Sequence, residues 1–224
     1  MVIAETFTSI QGEGMLTGVP SFFIRTSGCN LRCAWCDTPY ASWRPEGSRR
    51  SVDDLVAGAA ASGCEHVVIT GGEPLLQREL PALALALASA GHHTTVETAG
   101  TLAPPFRCDL LSVSPKTSNS DPEGRFRGRH RALRTRLSPL VELLGCHPEH
   151  QLKFVVRGEE DLGEVLELVE RLGAKRRRVL LMPEGRTSGE VAARAAAVAR
   201  LCLRQGFRYS PRLHLDLFGG GRGV

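Results

Sequence analysis

Lysine is scarce in this 224-residue chain, where arginine outnumbers it 25 to 3. Aromatic residues make up only 5% of the total, and neither sign of charge dominates, with 28 Lys and Arg against 24 Asp and Glu. A net charge of +4 is too mild to announce nucleic acid, whose binding rests on many phosphate contacts. The arginine excess reads most plainly as a bias of composition, and it makes each lysine notable. Long apolar runs are also missing. The longest uncharged helical stretch, Leu80–Gly91, holds twelve residues and includes Pro81, whereas a membrane span needs about 20. The first residues, Met1-Val2-Ile3-Ala4-Glu5, lack the basic and apolar regions of an export signal. The expectation is therefore a cytoplasmic protein with no membrane or nucleic-acid partner. No repeat, low-complexity tract or linker splits the chain, and its length with 42% hydrophobic residues suits a single domain over 1–224.

Cysteine, by contrast, is abundant. Seven are present, an odd number that disulfides alone cannot use, and disulfides are rare in a reducing compartment. Three of them fall in Cys29-Asn30-Leu31-Arg32-Cys33-Ala34-Trp35-Cys36. This Cys-x3-Cys-x2-Cys spacing suits one loop wrapped around a metal centre and is too crowded for separate disulfides. Structural zinc takes four ligands, and Cys64, Cys108, Cys146, Cys202 and the histidines are scattered singly. An iron–sulfur cluster held by three cysteines leaves one iron open to another ligand. The spacing and its context favour the cluster, with zinc as the alternative.

Short apolar strands alternate with amphipathic stretches. Strands are expected at Ser21–Arg25, His66–Thr70, Thr94–Thr98, Leu110–Val113, Gln151–Val156 and Val179–Met182. Helices are expected at Ser51–Ser62, about Leu75–Ala90, Leu137–Leu144, Asp161–Leu172 and Glu190–Gln205. Ile3–Ile10 reads as an added N-terminal strand and Arg212–Leu217, which alternates, as a last strand. This rhythm calls for a parallel sheet covered by helices. A closed eight-fold barrel typically needs about 250 residues. Six core strands and five helices predict an incomplete parallel β/α barrel, with an N-terminal extension over 1–20 and a C-terminal strand and glycine-rich tail over 206–224. A Rossmann fold is the runner-up, but no Gly-x-Gly-x-x-Gly follows an early strand.

Parallel barrels build their sites at the C-terminal ends of their strands. Three motifs stand there: Thr70-Gly71-Gly72-Glu73-Pro74, Glu97 in Val96–Gly100, and Ser114-Pro115-Lys116. Met182-Pro183-Glu184-Gly185 ends the sixth strand. The paired glycines permit close backbone approach by a ligand, although an ordinary tight turn also explains them. Residues 125–136 carry six arginines. They read as a solvated loop more readily than as a polyphosphate or RNA contact.

The Cys-x3-Cys-x-Trp-Cys motif after the first core strand resembles the signature of the radical S-adenosylmethionine (SAM) enzymes, and the incomplete barrel fits that superfamily. The segments Glu5–Gly14, Gly18–Pro20, Phe22–Arg25, Cys36–Thr38, Ile69–Pro74, Glu97–Gly100 and Ser114–Lys116 together resemble the 7-carboxy-7-deazaguanine synthase family over nearly the whole chain. That resemblance implies a lyase that converts 6-carboxy-5,6,7,8-tetrahydropterin to 7-carboxy-7-deazaguanine with loss of ammonia, in queuosine and deazapurine biosynthesis. It implies that Cys29, Cys33 and Cys36 ligate a [4Fe-4S] cluster and that Thr38 is a magnesium ligand. It assigns Trp35, Asp37, Gly72, Glu73, Glu97, Ser114, Pro115, Lys116, Met182, Pro183, Glu184 and Gly185 to SAM. Ile10, Gln11, Gly12, Glu13, Arg25, Thr70 and His214 fall to the pterin. Arg25 suits the substrate's carboxylate through a bidentate fork, and Glu13 suits its N–H groups. The implied radical takes hydrogen from C6 of the pterin, and SAM is regenerated. A flavodoxin or ferredoxin-type reductant and a homodimer are the implied partners. Some members end in a proline whose carboxylate contacts the substrate; this chain ends Phe218–Val224, and that contact is not carried to Val224. A radical SAM enzyme that activates a protein partner is the alternative, and a zinc-bound RNA-binding module a more distant one.

Overall fold

The computed structural model describes residues 1–223; Val224 lies outside the described residues. In chain order the strands are β1 (Val2–Ile10), β2 (Pro20–Thr26), β3 (Ser48–Arg49), β4 (His66–Gly71), β5 (His93–Thr98), β6 (Leu110–Val113), β7 (His150–Val156), β8 (Val179–Pro183) and β9 (Arg208–Tyr209). The helices are α1 (Pro39–Ser42), α2 (Val52–Ser62), α3 (Leu80–Ser89), α4 (Arg127–Arg134), α5 (Ser138–Cys146), α6 (Leu162–Arg171), α7 (Ser188–Gln205) and α8 (Leu213–Phe218). All nine strands join one sheet in the order β3-β1-β2-β4-β5-β6-β7-β8-β9. The run from β2 to β9 is parallel, while β1 pairs antiparallel with β2 and with β3. The six expected core strands are therefore β2, β4, β5, β6, β7 and β8, and the N-terminal strand is an antiparallel extension of their edge.

Helices cover one face of this sheet and the other lines a cavity, so its strands are apolar on the first and selectively polar on the second. Successive side chains alternate between faces. On β2, Phe22 and Ile24 join the core beneath the helices, as do Val67 and Ile69 of β4, Leu111 and Val113 of β6, Leu152, Phe154 and Val156 of β7, and Val179 and Leu181 of β8. The opposite parity faces inward: Phe23 and Arg25, then Thr70, Glu97, Ser112, Lys153 and Val155, and Met182. α2 starts on a capping box, in which the Ser51 side chain accepts from Asp54 N–H and the Asp54 carboxylate from Ser51 N–H.

Three expectations need correction. The stretch Arg212–Leu217 is not a strand but the short helix α8. The place beside β8 is taken by Arg208–Tyr209, Pro211 follows, and only Leu215 of the alternating leucines is buried. The segment Leu75–Ala90 is not one helix. A 3-10 turn at Pro74–Leu76 precedes α3, where Pro81 sits in the first turn, a position that costs no intrahelical hydrogen bond. The arginine-rich segment contains a helix, α4, because His130 and Arg134, four residues apart, both face inward and are buried. Arg134 meets Asp121 at 2.5 Å and Glu164 at 2.7 Å. No helix of the described residues is long and apolar enough to cross a membrane.

Candidate active site

A cavity of about 450 Å³ opens at the C-terminal ends of the parallel strands, within the size range of small-molecule sites. Its wall brings together Cys29, Cys33, Trp35, Cys36, Asp37 and Thr38 from the cysteine loop, Ile10, Gln11, Gly12 and Glu13 from the end of β1, and Arg25, Thr70, Gly72, Glu97, Ser114, Lys116, Met182 and His214 from the ends of other elements. Nearly every residue that the sequence singles out thus meets at one place. Pro183 at the end of β8, and Glu73, Pro115, Glu184 and Gly185 in the adjoining turns, are not on that wall.

The cysteine loop follows β2 and is held by its surroundings. His130 Nδ1 accepts the Arg32 N–H at 3.0 Å, and the Ser120 carbonyl accepts the Ala34 N–H at 3.0 Å. The Trp43 indole donates to the Cys33 carbonyl at 3.0 Å. All three cysteines are free and half-buried. Burial pushes the Cys29 thiol up to about 11 and Cys33 up to about 12, so neither is a thiolate until something positive binds it. Cys36 Sγ stands 3.0 Å from Ser42 Oγ and 3.9 Å from Thr38 Oγ1. Among the described residues no three His, Cys, Asp or Glu side chains converge tightly enough to hold one ion. Three thiols lining one cavity, with no tight set of ligands for a single ion among the described residues, would suit an iron–sulfur cluster better than a four-ligand zinc ion.

Gly71 and Gly72 follow β4. Gly71 has φ +129°, and a Cβ there would strike the backbone of Thr26, so only glycine fits this approach of β4 to the base of the cysteine loop. Glu73 is fully buried, with its carboxylate accepting from Leu75 N–H at 3.1 Å, Thr98 Oγ1 at 2.7 Å and Ala99 N–H at 2.9 Å. It ties the β4 turn to the end of β5 rather than facing the cavity. Lys116 donates to the Ser114 hydroxyl at 2.7 Å and lies 5.4 Å from the Trp35 ring centre. In the β8 turn, Glu184 points away toward Arg194 at 3.4 Å and Arg157 at 3.9 Å.

The same cavity holds a buried charge network that reaches back to the cysteine loop through Asp37. Glu97 accepts from Thr70 Oγ1 at 2.8 Å and Gln11 Nε2 at 3.3 Å, and Lys153 Nζ stands 3.8 Å away. Lys153 also pairs with Glu13, and Arg212 bridges Glu13 at 3.2 Å to Asp37 and to the Gly185 carbonyl. Although burial alone would push the Glu13 carboxyl up, Lys153 and Arg212 hold it well below the usual carboxylate range. Burial likewise disfavours charge on Lys153, but Glu13 and Glu97 raise it above the ordinary lysine value. Glu13 and Asp37 are therefore held ionised against Lys153 and Arg212, and Glu97 is a third carboxylate beside Lys153. Arg25 uses Nε to reach Glu5 at 2.7 Å. Its two terminal nitrogens make no hydrogen bond among the described residues, leaving a fork toward the cavity. Gly12 packs so closely on His214 that a Cβ would overlap the imidazole, and its carbonyl accepts the Leu213 N–H at 2.9 Å.

Sequence motifs missed Lys153 and Arg212, which lie in no glycine-rich or strand-end signature. The scarcity of lysine and the inward parity of 151, 153 and 155 on β7 are the signals for Lys153; Arg212 has none beyond its neighbour His214.

Residues 23–138 match the radical SAM superfamily. The 7-carboxy-7-deazaguanine synthase of Rhodopirellula baltica is 44% identical over 228 aligned residues, covering 100% of this chain and 89% of the relative. That of Halobacterium salinarum is also 44% identical, covering 96% of this chain and 90% of the relative. The crystal structure of QueE from Escherichia coli superposes with a TM-score of 0.72 at 26% identity, over 95% of this chain and 94% of that one. Sequence, fold and the composition of the cavity wall agree, and the chain belongs to the 7-carboxy-7-deazaguanine synthase family of the radical SAM superfamily.

Proposed function

We propose that this chain is a lyase that converts 6-carboxy-5,6,7,8-tetrahydropterin to 7-carboxy-7-deazaguanine with release of ammonia, in queuosine biosynthesis. The observation that carries this reading is that one cavity is lined both by three thiols and by the Glu13–Lys153–Glu97 network with Arg25. Superfamily membership implies a [4Fe-4S] cluster and SAM. Cys29, Cys33 and Cys36 are the residues that would hold the cluster. Trp35, Asp37, Gly72, Ser114, Lys116 and Met182, which line the same cavity, are the proposed SAM contacts. Bound together, cluster and SAM supply a radical able to remove a hydrogen atom from an unactivated carbon.

The chain's own contribution is recognition and positioning. The free fork of Arg25 matches the substrate's carboxylate. Glu13, kept ionised by Lys153 and Arg212, accepts hydrogen bonds from pterin N–H groups. Thr70 and Gln11 fix the Glu97 carboxylate, and His214 closes the cavity over Gly12. Phe7, Phe23 and Leu31 line the same space and exclude water around the reacting carbon. Holding reactant and oxidant in one geometry is where such a protein contributes most to rate.

Thr38 lines the cavity beside Cys36 and is the proposed magnesium contact, since magnesium favours oxygen ligands and shares its shell with substrate and water. Thr38→Ala is expected to weaken the magnesium response of turnover while bound iron and sulfide stay unchanged; an unaltered magnesium titration removes Thr38 from that role. A one-electron carrier protein and a homodimer complete the proposal. Light scattering at the monomer mass of 24.2 kDa would remove the dimer. The alternative, an enzyme acting on a protein partner, is less well matched by a buried ionised interior. SAM cleavage separates the two: 5′-deoxyadenosine or reversible SAM turnover should depend on added carboxypterin, and dependence on a polypeptide instead would favour the alternative.

A further inference from the structure

Five arginine side chains beside the cysteine loop face solvent without a carboxylate to meet. Arg125, Arg127, Arg129, Arg131 and Arg136 are exposed, and among the described residues none forms an ion pair. Elsewhere on the surface Arg171, Arg178, Arg204 and Arg222 each meet a glutamate. Between residues 122 and 136 the sole acidic residue is Glu123. Unbalanced positive charge of this density is repulsive within the chain and attractive to an acidic surface.

The segment is also attached to the loop that carries the thiols. Phe126 meets Trp43 edge-on at 5.7 Å, and Trp43 in turn holds the Cys33 carbonyl. The Arg32 guanidinium lies 5.7 Å from the Phe126 ring centre, and His130 of α4 holds the Arg32 N–H. Ala34, between Cys33 and Cys36, is exposed. The positive face and the outer edge of the cysteine loop therefore form one surface.

We propose that this Arg125–Arg136 face docks an acidic electron-carrier protein, a flavin- or iron–sulfur-containing donor, which delivers its electron across the Cys33–Cys36 edge of the loop. The proposal rests on the reading that the three cysteines hold a cluster. The step moves one electron and no atoms: the carrier is oxidised by one equivalent and the iron–sulfur group reduced by one. Transient electron-transfer partners use small interfaces, and charge complementarity sets their encounter rate more than buried area does. RNA is the poorer occupant. Phe126, the segment's single aromatic, is already engaged by Trp43, Arg32 and Arg125, which leaves no open ring for a base to stack on.

The test measures binding of an acidic flavodoxin to the full-length, cluster-loaded protein at low and high salt, together with turnover driven by flavodoxin or by dithionite. The variant R125E/R127E/R129E should weaken flavodoxin binding by about tenfold or more and raise the flavodoxin concentration needed for half-maximal turnover. Its iron content, melting temperature and dithionite-driven turnover should stay at wild-type values. R177E, on the 3-10 turn Arg176–Arg178 before β8 and so at the opposite end of the barrel, is the control and should change nothing. Unchanged flavodoxin affinity in the triple variant, or an equal loss in R177E, overturns the proposal. Binding of a short RNA that the triple variant loses, without flavodoxin binding, assigns the face to RNA and also overturns it. Wild-type protein that binds flavodoxin but makes no deazapurine with dithionite would fault the proposed reaction and leave the docking surface standing.

Discussion

At the scale of single residues, the decisive feature is that each of the cavity's two buried cations stands between two carboxylates. Lys153 is the pivot, since it is buried and stands against both Glu13 and Glu97. Removing one partner of a buried ion pair costs about 3–5 kcal/mol. Lys153→Met is therefore expected to lower the melting temperature by the loss of that pairing and to reduce pterin-dependent turnover, with bound iron unchanged. Lys153→Arg should recover part of both. A Lys153→Met enzyme of wild-type activity and stability would contradict this role. The thiol loop, Glu13, Arg25 and Thr70 were legible in the sequence because each sits in a compact motif. Lys153 and Arg212 were not, because a salt bridge between β7, the end of β1 and the residue before α8 joins positions far apart in the chain. Glu73 is the converse case: its motif was visible, but its side chain accepts from Leu75, Thr98 and Ala99 and lies off the cavity wall.

At the scale of elements, the parallel core strands were legible from their apolar runs and the rhythm of the intervening helices. The C-terminal element was not. Arg212–Leu217 alternates as a strand does, but β9 already fills the sheet position beside β8, and tertiary context overrides a short pattern. As a helix, α8 places His214 on Gly12, and this contact sets how the C-terminal segment meets the substrate wall. Gly12→Ala should push α8 outward, raising KM for the pterin while SAM affinity and iron content hold. An unchanged KM would mean that α8 does not shape the substrate side. α4 was hidden by its composition, since six arginines suggest solvent rather than packing. His130 and Arg134 supply a buried polar stripe in place of an apolar one.

At the scale of the whole molecule, the barrel separates a site at one end of the strands from a structural cluster toward the other. There His66 bonds Ser21 Oγ at 2.6 Å and Thr95 Oγ1 at 2.8 Å. Burial, with His93 close by, pushes its imidazole down from 6.5 to about 4. The unfolded chain binds the extra proton between those values. Stability from this group is thus complete above pH 6.5 and falls as pH drops toward 4, by on the order of 1–3 kcal/mol. His66→Gln should flatten the fall of the urea midpoint between neutral and mildly acidic pH, and a variant with the same slope as wild type would remove His66 as a source. The shortness of the chain gains meaning at this scale too. Six core strands leave a cavity open at their C-terminal ends, and one antiparallel strand, β1, brings Gln11–Glu13 to its rim. The most direct test of the whole account is product mass. Cluster-loaded, reduced protein incubated anaerobically with SAM, magnesium and 6-carboxy-5,6,7,8-tetrahydropterin should yield 7-carboxy-7-deazaguanine in excess of the SAM consumed, and Cys36→Ala should yield none. Iron-replete wild-type protein that leaves the pterin unchanged would contradict the account.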